Sequence, residues 1–465
     1  MSEERSNRIE FNSSMTLADQ LLLIARLSVP AILAQISSVV MEYIDASMVG
    51  HLGAEQSASI GLIASSTWLL GSLCIACSTG FTVQVAHAVG AGDNALARRI
   101  CRQGMAIALG LGLIIMAFGA AISIFLPGWL GGEEMIRHDA SMYFLVFSLG
   151  IPGMMLNYIG SGMLQCSGNM RLPSVLQIGM CVLDVILNMF CIFSSSSYTI
   201  LGLKIFLPGL GLGVMGAALG TALAELITAL LSLYFLLFKS PELKLQKDES
   251  LSFSGECLKR AYKLAWPVAL ENILSCGAQV VSTRIVSPLG YIAIAANSFS
   301  VTAEGLCYMP GYGIGHAATT IIGQATGAGE KDMVKRLGRI CVATGMLVMA
   351  GMGVLMFIFA PEMIGLLTPN TEIRELAVLV LRIEAFAEPM YAASIVVGGV
   401  LRGQGDTLSA SILNFVSMWI VRLPMAAVMA PRLGLKGVWI AMCVELCVRG
   451  LAFLIRLAVK NKSGK

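Results

Sequence analysis

The sequence predicts an all-α polytopic membrane protein of twelve transmembrane helices, arranged as two pseudo-symmetric lobes of six. Three observations lead there. The chain of 465 residues is 56% hydrophobic and only 13% charged, against about 25% charged in a typical soluble domain. Its apolar residues fall in runs of about 20 or more between short polar loops, which is how bilayer-spanning helices read. The first half of the chain then recurs in the second at an offset of 237 residues.

The elements follow in order. The polar start, residues 1–16, shows no cleavable signal, because the first apolar run is too long for an h-region, and it is expected to be cytoplasmic. The first span, near 24–50, holds Pro30 and then Glu42 and Asp45, one helical turn apart and so on one side of the helix. A carboxylate in lipid costs roughly 2.5–3.5 kcal/mol on insertion scales, so such residues mark function. Pro30 removes a backbone hydrogen bond and is expected to bend this helix. The second span, near 58–88, contains Cys74-x-x-Cys77 with no second pair at zinc spacing, so packed thiols are expected and disulfides are not.

The next four spans lie near 101–126, 141–165, 174–196 and 209–238. A linker over 241–258 separates a first domain, 1–240, from a second, 259–465. Spans seven to twelve lie near 262–287, 292–325, 338–360, 376–401, 409–430 and 434–458. Alternate loops are basic, from Arg98, Arg99 and Arg102 through Lys239 and Lys263 to Lys335, Arg336 and Lys460. By the positive-inside rule these loops and both termini are cytoplasmic, which requires an even number of spans. The net charge of +3 is too small, and its residues too dispersed, to suggest a nucleic-acid partner.

The repeat runs through the whole chain. Pro30 meets Pro267, Gly53 meets Gly290, Gly90-Ala91-Gly92 meets Gly327-Ala328-Gly329, and Pro152 meets Pro389. Later, Gly213 and Gly216 meet Gly434 and Gly437, at an offset shortened by 16 because the 195–208 loop is longer. Each copy has an even number of spans, so both enter the membrane in the same sense. The lobes are therefore expected to be related by an axis along the membrane normal, as in transporters whose site lies between parallel repeats. Asp45 falls on Ser282 and Glu42 on Gln279, so only the first copy keeps the acid pair.

Several motifs resemble one family: D-x-x-M-V-G-H-L-G at 45–53, Y-M-P-G at 308–311, G-Q-x-x-G-A-G at 323–329, L-R-G-x-G-D-T at 401–407 and V-R-L-P at 421–424. The chain is similar, over its whole length, to the multidrug and toxic compound extrusion (MATE) transporters. The resemblance implies a two-lobe secondary antiporter that exports cationic or amphipathic drugs against a proton or sodium gradient, with no other cofactor. It also implies a cation site of Asp45, Asp184, Asn188 and Thr221, like that of the DinF-like branch, which would be a metal site only if sodium is the coupling ion. The acids that NorM-type members carry in helices seven and ten have no match here, since those places hold Ser275 and Tyr391.

Helical rise supports the same four residues independently. At about 1.5 Å per residue they fall in one layer of the outer half of the membrane. Two adjacent carboxylates resist being ionised together unless a proton or a sodium ion neutralises them, and an all-oxygen set suits a hard cation. A structural hydrogen-bond cluster is the plain alternative. Glu42 either lines the same cavity or pairs with a basic neighbour. Glu271, Glu304 and Glu388 are candidates for a substrate path in the second lobe, and Glu445 and Arg449, four apart on one helix, are expected to neutralise each other. His87 and His316 lack metal spacing, and Gly-Ala-Gly lacks the context of a phosphate loop and caps a helix instead. A monomer in the plasma membrane is expected. A lipid-linked precursor flippase is the alternative function, and an intramembrane enzyme has no supporting constellation.

Overall fold

The computed structural model describes residues 8–12, 15–200, 203–246 and 253–463, without the side chains of 54, 196–200, 203–208 and 463. The extreme N-terminus, 1–7, and part of the expected linker, 247–252, lie outside the described residues. The first half comprises α1 (Leu17–Gly50), α2 (Ala54–Gly90), α3 (Asn94–Ile122), a short α4 (Leu126–Trp129), α5 (Glu134–Cys166), α6 (Arg171–Ile192) and α7 (Gly213–Tyr234). A π-helical turn, Phe235–Lys239, extends α7. The second half comprises α8 (Gly255–Val286), α9 (Tyr291–Gly327), α10 (Lys331–Leu367), α11 (Thr371–Glu384), α12 (Glu388–Gly403), α13 (Thr407–Val416), α14 (Leu423–Leu433) and α15 (Leu435–Ser463).

Among the described residues, ten helices are long and apolar enough to cross a membrane. Two expected spans are not among them, for different reasons. The run near 292–325 is the single long helix α9, whose glycines and polar side chains dilute its hydropathy. It can carry them because much of its length is buried inside the protein. The run near 376–401 is broken between α11 and α12 at 385–387, just before Pro389. The eleventh span is helical throughout but widens into a π-helical stretch, Ser417–Arg422, between α13 and α14. The long loop near 195–208 is an antiparallel hairpin of β1 (Ser194–Ile200) and β2 (Leu203–Leu210), with a register shift between Ser194 and Ser196.

The described chain packs as two compact units. Unit 1 takes 37–85 and 94–265, and unit 2 takes 8–36, 86–93 and 266–465. Thus α1 contributes to unit 2 as far as Ile36 and to unit 1 from Ser37. Within unit 2, Arg8 donates to the Gly90 carbonyl at 2.9 Å and the Ile9 amide donates to Gln324 Oε1 at 2.9 Å. There the ends of α2 and α9 cross so closely that a Cβ on Gly90 would overlap the Gln324 backbone, and one on Gly327 would overlap the His87 carbonyl. Small residues permit such approaches between membrane helices.

The repeated turns use the same geometry. Gly92 and Gly329 have φ of 79° and 77°, and the amides of Asp93 and Glu330 bond back to the Ala88 and Ala325 carbonyls at 3.0 and 3.1 Å. This is the glycine-capped helix end read from the sequence. Before α13, Asp406 accepts from the Ser409 amide, Arg456 and Lys460 at 3.3, 2.8 and 2.9 Å. Burial acts against its charge, but those partners outweigh it and hold the carboxyl at about 2, below its usual range. Its contribution to stability is present above about pH 4 and is lost only as pH falls towards 2.

Gly327→Ala is expected to destabilise the protein by about 1–3 kcal/mol, the usual range for forced overpacking. Gly351→Ala, where a Cβ would meet nothing within 4 Å, should be close to neutral. Thermal unfolding of the two purified variants in detergent compares them directly.

Candidate functional site

The four residues expected to bind the coupling cation come together in unit 1. Asn188 Nδ2 donates to Asp45 Oδ1 at 2.9 Å and to Asp184 Oδ2 at 3.0 Å. One amide therefore bridges two carboxylates, as a cation would. Thr221 on α7 is a further polar neighbour of the Asp184 carboxyl. Asp184 and Asn188 are fully buried on α6, and Asp184 Oδ1 has no hydrogen-bond partner. Asn188 Oδ1 is also unpartnered and faces Gly220, where a Cβ would overlap it. The residue before Thr221 must be glycine for the amide to fit.

The surroundings are polarised along the helix axes. One turn towards the N-terminal end of α7, Val49, Ile192 and Ala217 form a buried apolar cluster, with Met48, Leu52, Ile60, Tyr143 and Phe193 packed on it. Val49 follows Asp45 by one turn, Ile192 follows Asn188 by one turn, and Ala217 precedes Thr221 by one turn. Apolar side chains thus close that side of the acids. On the opposite side, one turn on from Thr221, stands Glu225, which the sequence reading missed. It is 8% exposed and accepts from Asn157 Nδ2 at 2.7 Å, and Ser161 donates to Asn157 Oδ1 at 3.2 Å. Its i,i+4 spacing from Thr221 in an apolar helix was the available signal. Glu42 lies on an exposed part of α1 with Asp45 as its charged neighbour. Among the described residues no ion pair involves it, so the expected basic partner is not found.

The residues present fit a small hard cation. Two carboxylates, an amide and a hydroxyl offer only oxygen ligands once the Asn188 amide turns over. Among the described residues no group of three His, Cys, Asp or Glu is placed to hold a metal ion, and the donor set has none of the imidazole or thiolate that transition metals favour.

Unit 2 gathers acids differently. Glu304 on α9 and Glu388 on α12 lie in one buried group with Glu384 at the end of α11 and with Arg422 and Arg449. Arg449 closes a two-pronged pair with Glu445, Nε to Oε1 at 2.7 Å and Nη2 to Oε2 at 2.8 Å, as the spacing predicted. Its guanidinium also lies over the Tyr391 ring, 5.8 Å from the centroid. Glu384 and Glu388 are fully buried, and none of their four carboxyl oxygens has a hydrogen-bond partner. Glu384, four residues before Glu388, also went unread in the sequence. Glu271 stands apart from this group. It accepts from Ser411 and Asn414 at 2.7 and 2.5 Å and pairs with Arg402 at 3.4 Å, a fully engaged carboxylate that ties α8 to α12 and α13.

Buried carboxylates held between apolar helices of membrane length define a multi-pass membrane protein of the transporter class. Comparison with known proteins makes the class specific. The profile of the MatE family matches residues 30–190 and 267–428. The chain is 27% identical over 432 residues, 92% of its length and 90% of the relative's, to the probable multidrug resistance protein NorM of Thermotoga maritima. It is 23% identical over 442 residues, 93% of each chain, to the multidrug resistance protein MdtK of Edwardsiella ictaluri. A crystal structure of MATE in complex with MaL6 matches with a TM-score of 0.88 and 21% identity, over 97% of this chain and 99% of that one. An outward-facing multidrug resistance MATE family transporter of the MOP superfamily matches with the same TM-score, identity and coverage. The chain belongs to the MatE family, in agreement with the resemblance its motifs carry, and its fold is the all-α polytopic fold of those structures.

The contact between Gly220 and Asn188 makes a test of the site. Gly220→Ala should displace the Asn188 amide and weaken coupling-cation binding about tenfold, the loss of one strong hydrogen-bonded contact. Cation titration of the purified variant against wild type, with unfolding as the control for folding, measures it.

Proposed function

We propose that the chain is a multidrug efflux antiporter of the plasma membrane, exchanging cationic or amphipathic compounds for H+ or Na+ bound at Asp45, Asp184, Asn188 and Thr221. The observation that carries this reading is the single amide bridging the buried carboxylate of Asp184 and the partly buried one of Asp45, neither of which pairs with a basic side chain among the described residues. Uncompensated buried charge is strongly unfavourable, so the pair is suited to taking up and giving back a cation. The related proteins named for multidrug resistance support the substrate class. The flippase alternative expects a strongly basic central site, and the arginines of unit 2 are instead matched by at least as many acids.

The duplicated halves, 1–240 and 259–465 about the 241–258 linker, serve in this proposal as two lobes related by an axis along the membrane normal. Both termini are cytoplasmic and the protein works as a monomer. Glu304 and Glu388 contribute to the substrate path of the second lobe. Glu271, by its hydrogen bonds, is a structural tie, and Glu42 borders the cation site.

Coupling is proposed to act through α1. Pro30 leaves one carbonyl of this helix without its usual amide partner, so two degrees of bend can lie close in energy. Neutralising Asp45 and Asp184 removes their repulsion and lets α1 approach α6.

Asp45→Asn and Asp184→Asn are each expected to abolish gradient-driven efflux while leaving membrane insertion intact. Transport in vesicles under a pH gradient alone and then a sodium gradient alone identifies the ion. Efflux that persists in either variant would demote that residue to structure. Pro30→Ala should reduce transport more than it reduces resting drug binding, whereas Pro267→Ala, whose helix lacks the acid pair, should have the smaller effect. Equal losses for the two prolines would refute the bending role.

A further inference from the structure

Within the membrane-length helices of unit 1, the buried carboxylate of Glu225 has no assignment. Between their end turns, α2, α5, α6 and α7 carry no lysine or arginine, and the arginines of α3, Arg98, Arg99 and Arg102, all lie within its first nine residues. Against that, the unit places Asp45, Asp184 and Glu225 close together, with Glu42 at the rim. Asp45 and Asp184 share the Asn188 amide and one coupling cation. Glu225 does not join that bridge: among the described residues its hydrogen bond is from Asn157 to Oε2, and none reaches Oε1.

The position of Glu225 is as informative as its charge. It follows Thr221 by one turn of α7, so both project from the same face. The apolar cluster of Val49, Ile192 and Ala217 closes the opposite side of the cation site. Asn157, itself braced by Ser161, fixes the carboxylate in orientation. A buried acid that is oriented by an amide and lacks a basic partner is poised to accept a cation from outside the protein.

We propose that Glu225, oriented by Asn157, is the specificity residue of unit 1, and that it receives the positive charge of an organic-cation substrate one helical turn from the coupling-ion carboxylates. This rests on the antiport reading of the same unit and adds to it a separate anchor for the substrate. Organic cations with a delocalised or shielded charge suit the place best. They are cheaply desolvated and can use the neighbouring aromatic Tyr158, which is partly exposed and close to Glu225. An uncharged amphipathic compound gains nothing from Glu225. Selection between charged and neutral substrates should therefore depend on this side chain, while ion coupling should depend on Asp45 and Asp184.

The test compares two probes of similar shape, the permanently charged tetraphenylphosphonium and the neutral triphenylphosphine oxide. Binding to the purified full-length protein and gradient-driven export from proteoliposomes are both measured. Glu225→Gln keeps an acceptor for Asn157 but removes the charge. It should weaken phosphonium binding about tenfold or more, as for loss of a charge-assisted contact, and change phosphine oxide binding less than about twofold. Glu225→Asp, which retains the charge, should recover part of the phosphonium affinity. Asp45→Asn should lose gradient-driven export of both probes alike, because it acts on the coupling site. Equal losses for both probes in Glu225→Gln, or no loss for either, would each overturn the assignment. If the wild-type protein exports no organic cation at all, the antiport reading itself fails, an outcome separable from the other two.

Discussion

The constraint on which the rest of unit 1 depends is a pair of carboxylates, one fully buried at Asp184 and one partly buried at Asp45, that share one neutral amide. A buried charge is tolerated only if it is paired and hydrogen-bonded, and among the described residues Asp45 and Asp184 have no basic partner. Asn188 does what can be done without one, giving each carboxylate one of its two N–H bonds. The local sequence follows from that. Position 220 must be glycine because the Asn188 carbonyl oxygen fills the space of its side chain. The neighbours one turn along are apolar, because water at that side would relax the site. The arrangement is stable enough to fold and unsatisfied enough to accept a cation, a combination expected of a coupling site and not of a packed core.

Unit 2 meets the same constraint by another route. Its buried acids are accompanied by arginines, as in the Glu445–Arg449 pair and the contact of Glu271 with Arg402. Arginine offers a rigid, permanently charged fork, well suited to holding a carboxylate in place. The two halves arose from one duplicated pattern, and their prolines and cap glycines still align. Their charged residues do not. One half placed acids together without bases, and the other combined acids with bases, within one helix for Glu445 and Arg449 and between helices for Glu271 and Arg402, so charge differs on a shared backbone plan.

Much of this was legible in the sequence. Membrane-length apolar runs and the repeat indicated the helices. Gly92 and Gly329 were readable as caps because a positive φ after a helix is a local demand that glycine meets. Asp45 was singled out as a carboxylate in an apolar run, whereas Asp184, Asn188 and Thr221 came from the resemblance to the MATE transporters, with helical rise setting them at one depth. The hairpin at 194–210 was not, since a short serine-rich stretch has no strong periodicity and its pairing is set by the helices at either end. Glu225 and Glu384 were passed over for a different reason. Glu225 is a lone acid in an apolar helix and Glu384 ends a helix that carries several other charged residues, and the meaning of each depends on which other helices face it, as Asn157 faces Glu225 from α5. Sequence spacing within one helix does not report that.

The fate of one repeated proline shows how local chemistry decides between equivalent outcomes. Pro152 lies inside α5, which continues through it, whereas its counterpart Pro389 stands in the first turn of α12 after a break. Proline removes the same backbone donor in both places. The preceding residue differs, Ile151 in one copy and Glu388 in the other. A helix begun at Glu388 places that carboxylate at its own N-terminus, where the unpaired amides and the helix dipole favour negative charge. Continuing the helix through this point would bury the same carboxylate beside an ordinary mid-helix backbone with no such compensation. The break also frees the Ala385 carbonyl, which packs against α10 at Gly353, where a Cβ would come within 2.7 Å. An isoleucine gains nothing from a helix end, so the first copy stays continuous, and the acid accounts for the interruption of the tenth span.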